Sequence, residues 1–372
     1  MRTIVVHDTT LREGDQTPGI FMDYDSKMKI GEMLLDLGVD ELEAGFPAAN
    51  DVDFKVSRDL IGVSDKNRIV GFGRAVERDI DLVADAGCGK INIFVPSSII
   101  QAKYLTPGKD LEDIVGMLEK SIDHAKNYGL DIEVSLSDAT RGNRDWLGRL
   151  STVASSLGVR RIVIADTVGC ATPRIIRDIV SFIRSKVRCG IGVHLHNDLG
   201  MATGNALIAI EEGADEVQTT VGGIGERIGN TPLEELAGAQ IASGEFRTNL
   251  MLRRVGPTVK NILRLVGFEI APNKPIIGSN AFTHTTDLHI RSVLIDPSSF
   301  EAFDPKELGV DRKILVTHLI GRRSIKALLK MLGIDSSDEF VDRVFSEVKK
   351  HVRSIRRPLS LDEFKEFVLK MG

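Results

Sequence analysis

Eight short runs rich in Val and Ile recur along the first 220 residues of this chain, and amphipathic stretches separate them. They are Ile4–His7, Val39–Gly45, Arg68–Gly73, Lys90–Val95, Asp131–Leu136, Arg160–Asp166, Gly190–His196 and Asp215–Thr220. A spacing of roughly 30 residues is the length of one strand–helix crossover. Near-continuous apolar strands belong in a parallel sheet covered on both faces. Between them, Asp25–Leu37 places Met28, Ile30, Met33, Leu34 and Leu37 near one helical face and ends at Gly38; Ala206–Glu212 precedes Gly213 in the same manner. Eight such units close most naturally into a (β/α)8 TIM barrel of the α/β class. An open doubly wound sheet is the structural alternative.

From about Ser243 the strand rhythm stops. Asn249–Val266 reads as a helix, Ile277–Asp311 as irregular and polar, Ser324–Leu332 as a helix and Ser337–Met371 as two or more. The expected organisation is a barrel over residues 1–260 and a mainly helical region over 261–372, a length that suits a barrel plus an appendage. Forty-eight basic against 53 acidic residues leave a net charge of -5, so no general electrostatic case exists for nucleic acid or a membrane surface. No apolar run reaches the ~18 residues of a membrane span. The N-terminus lacks the apolar core of a secretory signal, so a cytoplasmic location is expected. Cys88, Cys170 and Cys189 are too widely spaced for a CxxC motif and are expected to be buried free thiols.

The strongest chemical signal is His194-Leu195-His196-Asn197-Asp198 at the end of the seventh run. On a strand, positions i and i+2 share a face, so both imidazoles would converge at the barrel mouth, where TIM-barrel sites are built. Paired neutral imidazoles suit a metal. The first run leads into Asp8-Thr9-Thr10-Leu11-Arg12-Glu13-Gly14-Asp15-Gln16, which crowds acids, an arginine and an amide just past a strand end. A carboxylate with two histidines suits Zn2+, Mn2+ or Fe2+ with open positions for substrate, and an arginine beside it could neutralise charge developing on an oxygen. After the eighth run, the glycines of Val221–Asn230 allow either close approach to a ligand or a plain tight loop. Asp166-Thr167 closes the sixth run, with a helix-capping role as the alternative for either residue.

The segments DTTLREGDQ, HLHND, GGIGERIGN and NAFTHTTDLH stand in this order along the chain. Together they resemble the acyl-CoA-dependent enzymes that condense 2-oxo acids, namely the isopropylmalate, homocitrate and citramalate synthases, whose wider family includes metal-dependent hydroxymethylglutaryl-CoA lyases. The resemblance spans about the whole chain and is closest to short homocitrate-synthase-like members. It implies a divalent metal (Zn2+, Mn2+ or Mg2+) held by Glu13, His194 and His196, with Asn230 near it, and acetyl-CoA as co-substrate. It further implies that Arg12 stabilises the enolate or oxo group, that Gln16 and Thr167 contact the 2-oxo acid, and that His284 assists proton transfer. A domain-swapped homodimer is the assembly it implies.

Departures from the family pattern bear on the substrate. The S-x-E-D segment common after the fifth strand reads Ser135-Leu136-Ser137-Asp138, so Asp138 is the remaining candidate acid and Ser135 a candidate substrate contact. The third run ends Gly71-Phe72-Gly73-Arg74, without the histidine that often reads a distal carboxylate, and Arg74 is the candidate for that task. Asp287 replaces the glycine of a usual His-x-x-Gly-x-His, and Phe300 stands where a Tyr is common. The expected activity is condensation of acetyl-CoA with 2-oxoglutarate. The alternatives are 2-oxoisovalerate or pyruvate as acceptor, a carbon–carbon lyase, and a non-catalytic metal-binding barrel.

Overall fold

The structure is a computed structural model that describes residues 1–371. It comprises two compact units, Met1–Glu269 and a second beginning at Ile270. In the first, eight parallel strands form a closed barrel: β1 (Val5–Asp8), β2 (Glu41–Gly45), β3 (Ile69–Arg74), β4 (Lys90–Pro96), β5 (Asp131–Ser137), β6 (Arg161–Asp166), β7 (Gly190–Leu195) and β8 (Glu216–Thr219). Each strand pairs with its sequence neighbour, and β1 closes on β8 through Val5 opposite Glu216 and Asp8 opposite Thr219. The eight runs and the closed barrel therefore agree, and the open sheet is excluded.

Caps and stops follow the local chemistry. The helix Tyr24–Leu37 starts at Asp23, whose carboxylate accepts the Ser26 N–H, and ends at Gly38 with φ 93°. Its buried face holds Ile30, Leu34, Leu35 and Leu37, whereas Met28 and Met33 are only half-buried. Lys27 shares that buried face because its ammonium meets Asp53 at 2.5 Å and Asp15 at 2.9 Å. The second predicted helix spans Ala202–Glu211, and Leu252–Leu265 carries Pro257 inside it, where the helix forgoes one backbone hydrogen bond.

The strands differ from the sequence reading on one face. Their outward residues are the aliphatic ones, such as Leu42, Ile91, Ile93, Ile132, Val134, Ile162, Val193 and Val217, all buried. The inward positions instead run Glu41/Glu43, Lys90/Asn92, Glu133/Ser135 and Glu216/Gln218, also buried. The barrel interior is thus polar where branched aliphatic residues usually fill it.

The second unit packs Ile290, Ile325, Leu328, Leu329, Val341, Val344, Val348 and Phe364 into its own core. Its helices are Asp287–Ile295, Arg322–Met331, Asp338–Ile355 and Leu361–Leu369. The first lies within the stretch expected to be irregular. A two-residue parallel pair joins Thr283–His284 to Lys313–Ile314. The cysteines are free, but only Cys88 is buried; Cys170 and Cys189 are half-buried, which corrects the expectation of three buried thiols. Among the described residues, no helix is long and apolar enough to cross a membrane.

Candidate active site

The carboxy ends of the strands surround a cavity of about 210 Å3. That volume admits several water molecules, the scale of a small organic acid. Arg12, Glu13, Gln16, Ser135, Thr167, His194 and His196 line it, as do Phe72, Asn92, Phe94, Ser137 and Gln218. The sequence reading named the first seven. Ser137 stood in the segment that departs from the family pattern; Phe72, Asn92, Phe94 and Gln218 lie on inward strand positions, and their signal was a polar or aromatic residue at alternate places within runs taken as apolar.

Glu13, His194 and His196 converge. The two imidazole Nε2 atoms are 3.3 Å apart, and Glu13 Oε1 stands 3.3 Å from His196 Nε2 and 4.0 Å from His194 Nε2. All three side chains are buried. Burial pushes the His194 pKa down to about 3, with Arg12 and His196 adding to that and Glu13 opposing it. Burial also lowers that of His196. Both rings are therefore neutral lone-pair donors at ordinary pH. Burial alone would raise the Glu13 carboxyl, but Arg12 and the two histidines outweigh it and hold the pKa at about 2. A carboxylate and two neutral imidazoles within 4.8 Å of one another are a donor set for a divalent ion.

The neighbours of this trio fit the same reading. Asn230 is bridged to His196, is buried, and has an Oδ1 with no hydrogen-bond partner. A buried amide oxygen without a donor is costly unless something else binds it. Its Nδ2 packs so closely on Gly225 that a Cβ there would come within 2.2 Å. The glycine loop thus folds tightly against the trio's own neighbour.

Arg12 is the site's buried cation, while Arg227, exposed and paired with Asp198, also lines the cavity. Its Nε donates to Glu43 and its Nη1 to Glu13, and the guanidinium lies 4.1 Å from the Phe72 ring centroid. Burial works against the charge, yet Glu43 and Glu13 raise the pKa above the ordinary arginine value. Glu43 also accepts from Asn92 Nδ2 at 3.4 Å, and the Asn92 Oδ1 accepts from Ser135 at 2.8 Å. Phe72 and Phe94 stack at 5.0 Å along one wall.

Three predicted residues take other places. Asp138 is fully buried and does not line the cavity. Its backbone is left-handed, with φ 62°, and its carboxylate is forked by Arg141 at 2.7 and 2.9 Å and accepts from Ser98 at 2.5 Å. Only its N–H turns toward the site, donating to Thr167 Oγ1 at 2.8 Å. Arg74 is half-exposed and grips Asp79 through two hydrogen bonds of 2.8 and 2.9 Å, again outside the cavity lining. Asp166 accepts from Ala171 N at 3.0 Å and Thr140 Oγ1 at 2.6 Å, so it organises the following turn. In the second unit, His284 Nε2 lies 3.0 Å from Glu301 Oε1, and Arg312 forks Glu301 at 2.6 and 2.5 Å. Asp287 accepts from Gly321 N at 2.8 Å and Ser324 Oγ at 2.6 Å, and so anchors the start of the helix Arg322–Met331.

The fold and site define a TIM barrel with a two-histidine, one-carboxylate centre and an adjacent buried arginine at its carboxy-terminal face. Comparison with known proteins places it among them. The HMGL-like family matches residues 3–261, and the homocitrate synthase post-HMGL domain-like family matches residues 276–355. A 2-isopropylmalate synthase of Pyrococcus abyssi is 37% identical over 361 residues, 94% of this chain and 74% of that protein. The 2-isopropylmalate synthase of Sulfurisphaera tokodaii is 35% identical over 100% of this chain and 96% of its own length. The homocitrate synthase AksA of Methanopyrus kandleri is 34% identical over 93% of this chain and 87% of its own. Among solved structures, the HMG-CoA lyase of Brucella melitensis shares the fold, with a TM-score of 0.63, 20% identity, and coverage of 72% of this chain and 99% of that one. The chain belongs to the HMGL-like family, beside its isopropylmalate, citramalate and homocitrate synthases.

Proposed function

We propose that the protein condenses acetyl-CoA with a small 2-oxo acid whose side chain carries no second carboxylate. The observation that carries this reading is the Glu13–His194–His196 trio beside Arg12 in an aromatic-walled cavity of about 210 Å3. A divalent ion held by Glu13, His194 and His196, with Asn230 alongside, would supply Lewis-acid polarisation of the acceptor's oxo group. Two imidazoles favour Zn2+ over Mg2+.

The chain's own groups account for the rest. Arg12 spends Nε and Nη1 on Glu43 and Glu13, and its Nη2 is left for an oxygen in the cavity. Held rigid by two carboxylates and a ring, it can stabilise negative charge on the acetyl enolate and on the new alkoxide without reorganising. Gln16, Ser135, Ser137 and Thr167 offer hydrogen bonds to the acceptor's carboxylate. His284 suits proton transfer at the thioester methyl group, because Glu301 accepts from its Nε2 and leaves Nδ1 as the basic nitrogen. Thioester hydrolysis after carbon–carbon bond formation then drives the reaction. A homodimer is the proposed assembly, to be checked by sedimentation.

The wall chemistry bears on the acceptor. Arg74 is engaged by Asp79, and Arg227 is forked by Asp198 at 2.8 and 2.9 Å. A distal carboxylate, as in 2-oxoglutarate, would lie against Phe72 and Phe94, while Arg12 serves the reacting oxygens and the other lining arginine, Arg227, is spent on Asp198; a buried charge paired so poorly is expensive. An apolar side chain, as in 2-oxoisovalerate, would gain from the same wall. This reading replaces 2-oxoglutarate as the leading acceptor and retains it as the second, since homocitrate synthase AksA is among the relatives. The test is CoA release from acetyl-CoA over 2-oxoisovalerate, pyruvate, 2-oxoglutarate, oxaloacetate and glyoxylate, with Glu13→Ala as control. Release with an apolar acid, abolished in the control, is expected. Preferred turnover of 2-oxoglutarate would overturn the acceptor assignment, and no release with any acid would overturn the condensation.

A further inference from the structure

Beneath the trio, the barrel interior holds a second group of charges. Arg161 of β6 donates through Nη1 to Glu133 of β5 and Glu216 of β8 and lies 3.2 Å from Glu41 of β2. His7 is fully buried with its Nδ1 at 3.5 to 3.6 Å from Glu41, Glu133 and Glu216. Arg161 already occupies the centre of the three carboxylates, so this cluster has its own cation. It meets the trio above it on two sides: His7 Nε2 lies 3.9 Å from Glu43, which holds Arg12 and through it Glu13, and Gln218 reaches His194 directly.

Gln218 Oε1 lies 3.0 Å from His194 Nδ1, and Gln218 Nε2 donates to Glu216 Oε1 at 3.2 Å. The direction of this chain is dictated from below. Glu216 is ion-paired to Arg161, hence ionised, and an ionised carboxylate only accepts hydrogen bonds. The Gln218 amide must therefore turn its NH2 toward Glu216 and its oxygen toward His194. An amide oxygen only accepts, so His194 must carry its proton on Nδ1. Its lone pair then sits on Nε2, the atom that faces His196 and Glu13. Gly192, two residues before His194 on β7, leaves room for this arrangement: a Cβ there would lie 2.7 Å from Glu216 Oε1 and 3.0 Å from Arg161 Cδ.

We infer that Glu216 is a positioning residue for the metal centre, acting through Gln218 to fix the His194 tautomer that presents Nε2 to a cation, with Arg161 as its anchor. The inference rests on the reading of Glu13, His194 and His196 as metal ligands. Outer partners of this kind typically alter metal affinity 10–100-fold.

The test uses Mn2+ binding to the full chain, followed by the electron paramagnetic resonance of the free ion, and 15N NMR of the histidine rings in metal-free protein. Glu216→Gln frees the Gln218 amide to reverse. It is expected to weaken Mn2+ binding roughly 10–100-fold and to shift His194 toward the Nε2–H tautomer. Adding Gln218→Glu to it restores a carboxylate acceptor for Nδ1–H and a donor beneath it, so affinity should return to near wild type although the Arg161–Glu216 pair is still broken. A merely structural role for Glu216 would leave the double variant as weak as the single one. Gln218→Met, which leaves Arg161 and Glu216 untouched, should also lose affinity and covers the case in which Glu216→Gln does not fold. Unchanged affinity and tautomer in Glu216→Gln, no recovery in the double variant, or full affinity in Gln218→Met would each overturn the inference while leaving the metal site intact. Absence of Mn2+ binding by the wild-type protein, or binding unaffected by His194→Ala, would overturn the metal-site reading itself and the inference with it.

Discussion

Replacing Arg161 with Met removes the guanidinium at the centre of three buried carboxylates, leaving His7 against all three and Lys90 and Arg160 on Glu41 alone. Met keeps much of the stem's volume and takes away the guanidinium that Glu41, Glu133 and Glu216 share. Breaking a buried ion pair from one side costs about 3–5 kcal/mol, because the remaining charges stay desolvated. The barrel unit runs from Met1 to Glu269. At about 2.1 cal/mol/K per residue its unfolding entropy is about 0.56 kcal/mol/K, so Tm should fall by about 5–9 °C. The loss should also depend on pH. Burial, with Glu216 adding and Arg161 opposing, raises the Glu133 pKa to about 7. A folded pKa above the ordinary 4.5 means that stability from the protonated form is complete below 4.5 and lost as pH rises through about 7. Without Arg161 the folded Glu133 holds its proton to still higher pH, so the variant binds more protons than wild type. Its Tm deficit must therefore widen between pH 6 and pH 8. Thermal melts by circular dichroism at both pH values measure this. A drop below about 2 °C, or a deficit that does not grow with pH, would refute the account of this cluster as one electrostatic unit.

Three further outcomes follow from placements that differ from the local sequence reading. Arg74→Ala should change the KM for any 2-oxo acid less than about twofold, since its guanidinium is half-exposed and bound to Asp79; steady-state kinetics with CoA release will show it, and a large rise in KM for 2-oxoglutarate alone would return Arg74 to the acceptor site. Asp138→Asn should cost about 1–3 kcal/mol through its hydrogen bonds to Arg141 and Ser98, read as a lower Tm with kcat largely kept; a collapse of kcat at unchanged Tm would make Asp138 a catalytic acid after all. Asp287→Ala should cost about 1–3 kcal/mol by removing the acceptor of the Gly321 N–H and the Ser324 hydroxyl at the start of the helix Arg322–Met331, and an unchanged melting profile would show that these bonds contribute nothing.

How much of this was written in the chain differs by element. The repeat of apolar runs, with a helix and a glycine stop between them, specified eight βα units, because a strand and its crossover are local patterns. The pair His194/His196 was legible for the same reason: period two puts both on one face, and a parallel strand's end is a barrel mouth. The polar inner face was equally present in Glu41/Glu43, Lys90/Asn92 and Glu216/Gln218, but it was hidden by the aliphatic residues alternating with it.

What no local pattern could supply is which charges meet. Arg161 contacts carboxylates from β2, β5 and β8, as far as 120 residues away in sequence. Only the stagger of a closed sheet sets those heights. The same holds for Arg12, whose partner Glu43 comes from the next strand and fixes where its free nitrogen points. The family resemblance made Asp138 the remaining candidate acid, yet a left-handed backbone and Arg141 commit its carboxylate elsewhere. Sequence alone determined the barrel and the residue types at its mouth, because both follow from short-range periodicity. Tertiary structure decided which of those residues face the cavity and with what charge, because electrostatics acts across strands that only closure brings together.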